Sequence, residues 1–172
     1  MRRTMTIAVV TLLAALSFAS TGFAQAPADK EHAELAKALK DAKISLQRGL
    51  TASTKEGKPI SAKYELEDGK LQLSVYTMKG DQFSEVIVDH KTGKVAKSEP
   101  ITKGDDLAHA KAQSEAMTKA KRSLDAAASE AVKANKGYRV VSVMPELKEG
   151  HPVADVTLVK DAEWKTVSEK LD

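Results

Sequence analysis

Four histidines offer the widest range of chemistry in this sequence, because an imidazole can bind metals and exchange protons near neutral pH. They are His32, His90, His109 and His151. None lies four residues from another or in a His-Glu-x-x-His pattern, the spacings that place two imidazoles on one metal. Lysines and glutamates surround them, as is typical of solvated surface. We therefore predict no metal site, and we single out only His90, which lies in a predicted turn beside Asp89.

The nucleophilic and acidic residues also form no recognised catalytic or metal-binding pattern. The chain has no cysteine, which excludes disulfides, a thiol nucleophile and an acylated-cysteine anchor. It has no Gly-x-Ser-x-Gly elbow, and Ser45 and Ser123 precede helical patterns, where a serine hydroxyl caps free amides. The acidic cluster 65–68 lacks the spacing of a calcium loop. The sequence predicts no catalytic residue and no cofactor.

The amino-terminal segment predicts export. Arg2 and Arg3 precede an apolar run at 7–18 that is too short to span a bilayer, so residues 1–24 are typical of a cleaved signal peptide. Small residues place the cut after Ala24 or after Ala26. No later apolar stretch follows, so we expect a periplasmic or secreted protein without stable membrane insertion.

The charge balance points away from anionic polymers. The sequence has 27 Lys and Arg against 24 Asp and Glu, and two of the arginines belong to the predicted leader. Nucleic acids and anionic membranes bind one-signed patches, whereas both signs are interspersed here. The basic stretch 103–122 also contains acidic residues and is typical of a solvated helix face. We expect neither partner.

The chain contains an internal repeat, which decides how the rest of the sequence divides into units. Ser45 and Leu46 recur as Ser123 and Leu124, within a run of matches at an offset of 78 residues. A later block matches at an offset of 81: Glu65, Leu66, Gly69, Val75, Lys79, Phe83 and Val86 recur as Glu146, Leu147, Gly150, Val156, Lys160, Trp164 and Val167. The sequence predicts two similar units, at 28–102 and 106–172.

Each unit begins with helical spacing and continues with alternating strands. Apolar residues three or four apart at 35–50 and 117–131 predict helices, and whether each helix bends at its serine stays open. Period-two stretches joined by turns such as Asp68-Gly69 predict short antiparallel strands. We expect an α+β fold with helices on one face of each sheet. Phe83 and Trp164, at equivalent positions, are predicted core residues.

The two units differ at their ends. In the first, residues 88–95 predict a strand, a tight turn and a further strand that reaches toward Ile101. The second stops at Asp172, about where that turn should begin. We expect the second unit to be truncated at its C-terminal turn, leaving one sheet edge without its last strand.

These residues resemble the PepSY domain family. The likeness lies in Ile44-Ser45-Leu46 before a helix, in strands with a glycine turn, and in 86–89 leading into Lys91-Thr92-Gly93-Lys94-Val95. The second unit matches through Ser123-Leu124 and Trp164 but lacks the Lys-Thr-Gly turn. The resemblance implies a bacterial envelope or secreted protein that restrains a peptidase, and it brings no catalytic residues.

The turn at 89–93 is the candidate partner contact. Its members are Asp89, His90, Lys91, Thr92 and Gly93, of which Gly93 suits a left-handed backbone and Asp89 can cap the turn. The leading hypothesis is an exported, non-enzymatic protein-binding module that acts on a peptidase or another envelope protein, by strand addition or through this turn. The alternatives are a structural or stress-related envelope protein, and a small hydrolase or metal carrier with an unrecognised site.

Overall fold

The computed structural model describes residues 27–172, so the predicted signal peptide and both cleavage sites lie outside the described residues. The helices are α1 Pro27–Ala38, α2 Leu46–Ser53, α3 Gly104–Lys119 and α4 Leu124–Ala134, with a 3-10 turn at Leu39–Asp41. The strands are β1 Lys58–Glu67, β2 Lys70–Lys79, β3 Gln82–Val88, β4 Val95–Ile101, β5 Arg139–Lys148, β6 His151–Lys160 and β7 Glu163–Lys170. None of the described helices is long and apolar enough to cross a bilayer.

All seven strands form one antiparallel sheet in the order β4-β3-β2-β1-β5-β6-β7. The α+β class is therefore confirmed. The two halves of the chain meet where β1 pairs with β5, through Ala62 opposite Val143 and Lys63 opposite Ser142. Each half thus extends the same sheet rather than closing its own.

Both serines end a helical run by capping the next helix, which answers the question of bending. Ser45 Oγ accepts a hydrogen bond from Arg48 N at 3.2 Å, and Ser123 Oγ accepts one from Ala126 N at 3.1 Å. The residues between paired helices are extended, with Ala42 at φ −71° and ψ 124°. Each half therefore carries two separate helices.

The helices cover both faces of the sheet, which corrects the expectation of a single covered face. Side chains alternate along β2, so Leu73 and Met78 point to opposite faces. Helix α2 packs on the Leu73 face, where Gly49 closely approaches Leu73. Helix α3 packs on the other face, where Ser114 Oγ lies 3.0 Å from Met78 Sδ. The strand pattern alone could not reveal this second layer, because the opposite face is largely polar.

The long basic residues Arg139 and Lys58 tie the helices to the sheet across the halves. Arg139, in the second half, donates to the carbonyls of Leu39 at 2.6 Å and Ile44 at 3.0 Å. Lys58, in the first half, donates to Met117 O at 3.1 Å. Met117 lies in the last turn of α3, where carbonyl oxygens lack intrahelical partners, and Leu39 and Ile44 lie in the segment that joins α1 to α2.

One apolar core joins the halves. Phe83 is buried as predicted, whereas Trp164 is only half-buried. The Trp164 ring lies under His32 of α1, with ring centroids 4.4 Å apart and an interplanar angle of 15°. A helix from the first half therefore covers the last strand of the second half.

Candidate functional site at the open sheet edge

The predicted contact turn at 89–93 is a rigid structural turn. Asp89 Oδ1 accepts hydrogen bonds from Thr92 N at 2.6 Å, Thr92 Oγ1 at 2.9 Å and Lys91 N at 3.0 Å. These bonds, that of the Thr92 amide first, hold the pKa of the Asp89 carboxyl below its usual range. Gly93 has φ +73°. The predicted capping role of Asp89 and the left-handed Gly93 are both present.

Much of this turn faces inward. The His90 carbonyl accepts hydrogen bonds from Lys43 N at 2.8 Å and Ile44 N at 3.2 Å, which anchors the loop before α2. Gly93 is buried, and only Lys91 and Thr92 are exposed. The turn therefore offers a partner two side chains, and its other members hold the fold.

The four histidines lie apart, and their surroundings differ from a uniformly wet surface. His109 is exposed, and His151 Nδ1 lies 3.0 Å from Asp172 Oδ2 at the surface. His32 stacks on Trp164. His90 corrects the prediction, because it is half-buried and its Nδ1 atom is buried without a hydrogen-bond partner in the described part of the chain.

The acidic cluster at 65–68 does not converge. Glu65 Oε1 accepts from Ser74 Oγ at 2.8 Å, and its other oxygen lies 2.5 Å from Lys63 Nζ. Glu67 and Asp68 are exposed at the hairpin. Between residues 27 and 172, no group of three His, Asp or Glu side chains is placed to hold a metal ion.

Tyr76 shares the polar face with this cluster, and burial raises its pKa to about 12. Its phenol is consequently protonated over the physiological range. A protonated phenol can donate a hydrogen bond but is neither a general base nor a nucleophile there.

A cleft of about 430 Å³ lies between the end of α2 and the loop before α4. Its lining is mainly apolar and includes Leu50, Met117 and Leu124. Polar groups at its border are engaged within the chain, as Lys58 is with Met117 O and Ser123 is with Ala126 N. The lining also includes Lys121, Ser123 and Asp125.

The two edges of the sheet differ in their capacity to pair. At the β4 edge, Glu85 pairs with Glu99 and Phe83 with Ile101. Asp89 N donates to Lys94 O, which continues this ladder. The alternation of bonding along β4 therefore points the backbone polar groups of Ser98 and Pro100 away from β3. Proline has no N–H to donate, so β4 is a protected edge.

The β7 edge is open. Leu171 N donates to Pro152 O at 2.9 Å, which continues the β6–β7 ladder. Because bonding alternates along an antiparallel strand, the even-numbered residues of β7 present their N–H and C=O groups outward. Arg122 Nη1 reaches Lys170 O from outside at 2.9 Å, in agreement with this alternation. Thr166 and Ser168 lie at the centre of this edge.

In the first half, the outer side of β3 is filled. Strand β3 follows its hairpin as β7 follows its own, and β4 pairs along its outer side. Within residues 27–172, β7 has β6 as its one strand neighbour. No described strand pairs along the outer side of β7, and residues 163–170 contain no proline.

Sequence reasoning placed its candidate site on the turn at 89–93 and passed over Thr166 and Ser168. The alternation of β7 was visible in the sequence, but it gives side-chain faces only. Which backbone groups point outward depends on the register with β6, and only the tertiary structure shows that register.

Comparisons with known proteins add little. No family model matches the chain, and no curated protein matches it. A solved structure of a candidate lipoprotein from Clostridium difficile 630 is similar at 14% identity, covering 77% of this chain and 89% of that chain, with a TM-score of 0.43. The PepSY resemblance stays a prediction, and the open edge rests on the geometry of this chain.

Proposed function

We propose that this chain is an exported, non-enzymatic module that binds another protein by strand addition at β7. The observation that carries the proposal is the row of outward amide and carbonyl groups centred on Thr166 and Ser168, at the position that β4 fills in the other half. An extended segment that pairs there satisfies these groups and gains main-chain hydrogen bonds.

The proposal includes the internal duplication, with units at 28–102 and 106–172. Equivalent contacts at the sequence offsets support it. Lys43 and Ile44 donate to His90 O, and Lys121 and Arg122 donate to Leu171 O. Ser45 and Ser123, which cap helices, also lie at equivalent positions. So do Lys58 and Arg139, whose side chains donate hydrogen bonds to carbonyls of the other half. On this proposal, the second unit lacks the strand that a partner supplies.

We propose a peptidase of the cell envelope as the partner, because the resemblance to the PepSY family implies one. An extended segment is also what a peptidase presents or recognises in an active-site cleft. The predicted leader supports export to the compartment where such a peptidase acts.

The test is Thr166→Pro, which removes one outward N–H and leaves the β6 ladder intact. Ser98→Pro, at an outward position of β4, is the matched control. The chain without residues 1–24 and both variants are used to capture proteins from an envelope extract of the source cells, and recovered peptidases are assayed with each. We expect Thr166→Pro to lower capture and inhibition at least about tenfold, with Ser98→Pro unchanged.

Equal capture by Thr166→Pro and the unmodified chain would contradict strand addition at β7. If the chain binds proteins but inhibits no peptidase, the proposal of a peptidase partner is wrong, whereas strand addition at β7 is still supported. Circular dichroism of both variants checks that each retains the sheet.

A further inference from the structure

We infer that, when no other protein is bound there, β7 of a second copy pairs with the β7 edge, so that two chains form a two-fold dimer with a continuous sheet; a partner protein then binds by displacing one copy. The inference rests on the proposed function in one respect, namely that β7 is the docking edge. It names the occupant of that edge from the charges and register of β7 itself.

Backbone geometry restricts the possible pairings. Only even-numbered residues of β7 present outward N–H and C=O groups, so two copies can bond only if even residues oppose even residues. Antiparallel self-pairings must therefore centre on a single residue, since a centre between two residues pairs even with odd. The central candidates are Lys165, Thr166, Val167 and Ser168.

Charge selects one of these centres. A centre at Val167 places Lys165 opposite Glu169 of the other copy, twice by symmetry, with Thr166 opposite Ser168. A centre at Thr166 instead opposes Glu163 and Glu169, which repel. A centre at Lys165 opposes two lysines, and one at Ser168 forms no ion pair.

The same register brings apolar groups together. Val167 is half-buried on the face that α4 covers, and at the two-fold axis it meets its own copy in a close, non-hydrogen-bonded pair. Lys165 and Glu169 flank it on this face and are also half-buried. Two valines and four charges of alternating sign therefore form one complementary row.

Neither Lys165 nor Glu169 has a salt-bridge partner between residues 27 and 172. The Lys165 ammonium lies 4.3 Å from the Tyr138 ring centroid. Lys148, on the opposite face, does bind carboxylates of Glu146 and Asp155. Glu169 is thus available to a second copy, and Lys165 exchanges its contact with the Tyr138 ring for that carboxylate when the dimer forms.

The decisive test uses the absence of cysteine from the sequence. In Val167→Cys, a disulfide can form only between two copies, and the Cα atoms of a non-hydrogen-bonded pair lie about 4.5 Å apart, within disulfide range. Ser98→Cys, on the protected β4 edge, is the matched control. Under mild oxidation, we expect Val167→Cys to form covalent dimers at least about tenfold faster than Ser98→Cys.

The register is tested by charge reversal in sedimentation equilibrium of the chain without its leader. In Lys165→Glu, each cross-strand pair between positions 165 and 169 brings two glutamates together. We expect this repulsion to weaken the dimer about tenfold. Glu169→Lys should weaken it similarly, and the double variant, which restores opposite charges, should recover dimerisation.

A chain that stays monomeric up to about 1 mM, with cross-linking no faster in Val167→Cys than in Ser98→Cys, overturns the dimer. Dimerisation without recovery in the double variant overturns this register and with it the inference. Both results leave the proposed function standing, since that is judged by the effect of Thr166→Pro on capture.

Discussion

At the scale of single residues, Asp89 shows how one carboxylate stabilises a turn. The sequence predicts this turn as a contact with a partner protein. The Asp89 Oδ1 atom accepts two backbone amides and one hydroxyl within five residues. These amides point into the turn and have no strand partner, so the carboxylate replaces the bonds that a ladder would supply. This turn also anchors the loop before α2, because the His90 carbonyl accepts hydrogen bonds from that loop.

This arrangement predicts a pH-dependent stability. The pKa of Asp89 is lowered in the folded state, by the Thr92 amide first, so its contribution is present above the ordinary aspartate value of about 3.9 and is lost as pH falls through the folded value. We expect Asp89→Asn to unfold at lower temperature than the unmodified chain at pH 7, with the difference shrinking below about pH 4. Thermal melts across pH measure it, with Asp81→Asn in another turn as control. A difference independent of pH would contradict this account.

At the scale of elements, the approach of α2 to the sheet depends on Gly49. A Cβ placed there would lie 2.5 Å from Leu73 Cδ2, and Leu73 is fully buried. A glycine in mid-helix is unfavourable in itself, so we attribute it to the close packing of α2 on Leu73.

We expect Gly49→Ala to destabilise the fold by about 1–2 kcal/mol, because overpacking outweighs the gain in helix propensity. Leu73→Val makes room, so the double variant should lose less stability than the two single variants added together. Urea denaturation of the four proteins measures the coupling. Strict additivity would show that Gly49 and Leu73 do not compete for the same space.

At the scale of the whole molecule, the shared sheet and the crossed helices make one cooperative unit. Arg139 of the second half satisfies two carbonyls of the first, and α1 of the first half covers Trp164 of the second. Helices α2 and α4 also contact each other, and one apolar core spans both halves. We therefore expect a single unfolding transition.

Arg139→Ala tests this cooperativity. Loss of two charge-assisted hydrogen bonds to half-buried carbonyls should cost about 2–3 kcal/mol, whereas Lys58→Ala, which loses one bond, should cost less. Trp164 is the single tryptophan, so its fluorescence reports the second half and far-ultraviolet circular dichroism reports the whole. Both signals should shift together in urea. Separate transitions would show that the halves unfold independently.

Local patterns in the sequence were enough for the strands and turns and for the serine caps, but not for the division of each helical stretch into two helices. Alternation gave the strands, Asp68-Gly69 fell in a hairpin with φ of 48° and 73°, and both serines cap helices. The same holds for Asp89 and Gly93. These features depend on side chains a few residues apart, whose hydrogen bonds and allowed φ values hold wherever the segment lies in the fold.

The arrangement of those elements was decided only by the tertiary structure. The joining of β1 to β5, the second helical layer and the outward groups at Thr166 and Ser168 depend on partners far apart in sequence, as Arg139 is from Leu39. Alternation assigns a side chain to a face without saying what covers that face or which backbone atoms stay unpaired. Only the register between strands fixes both, and it is set by packing across the whole sheet.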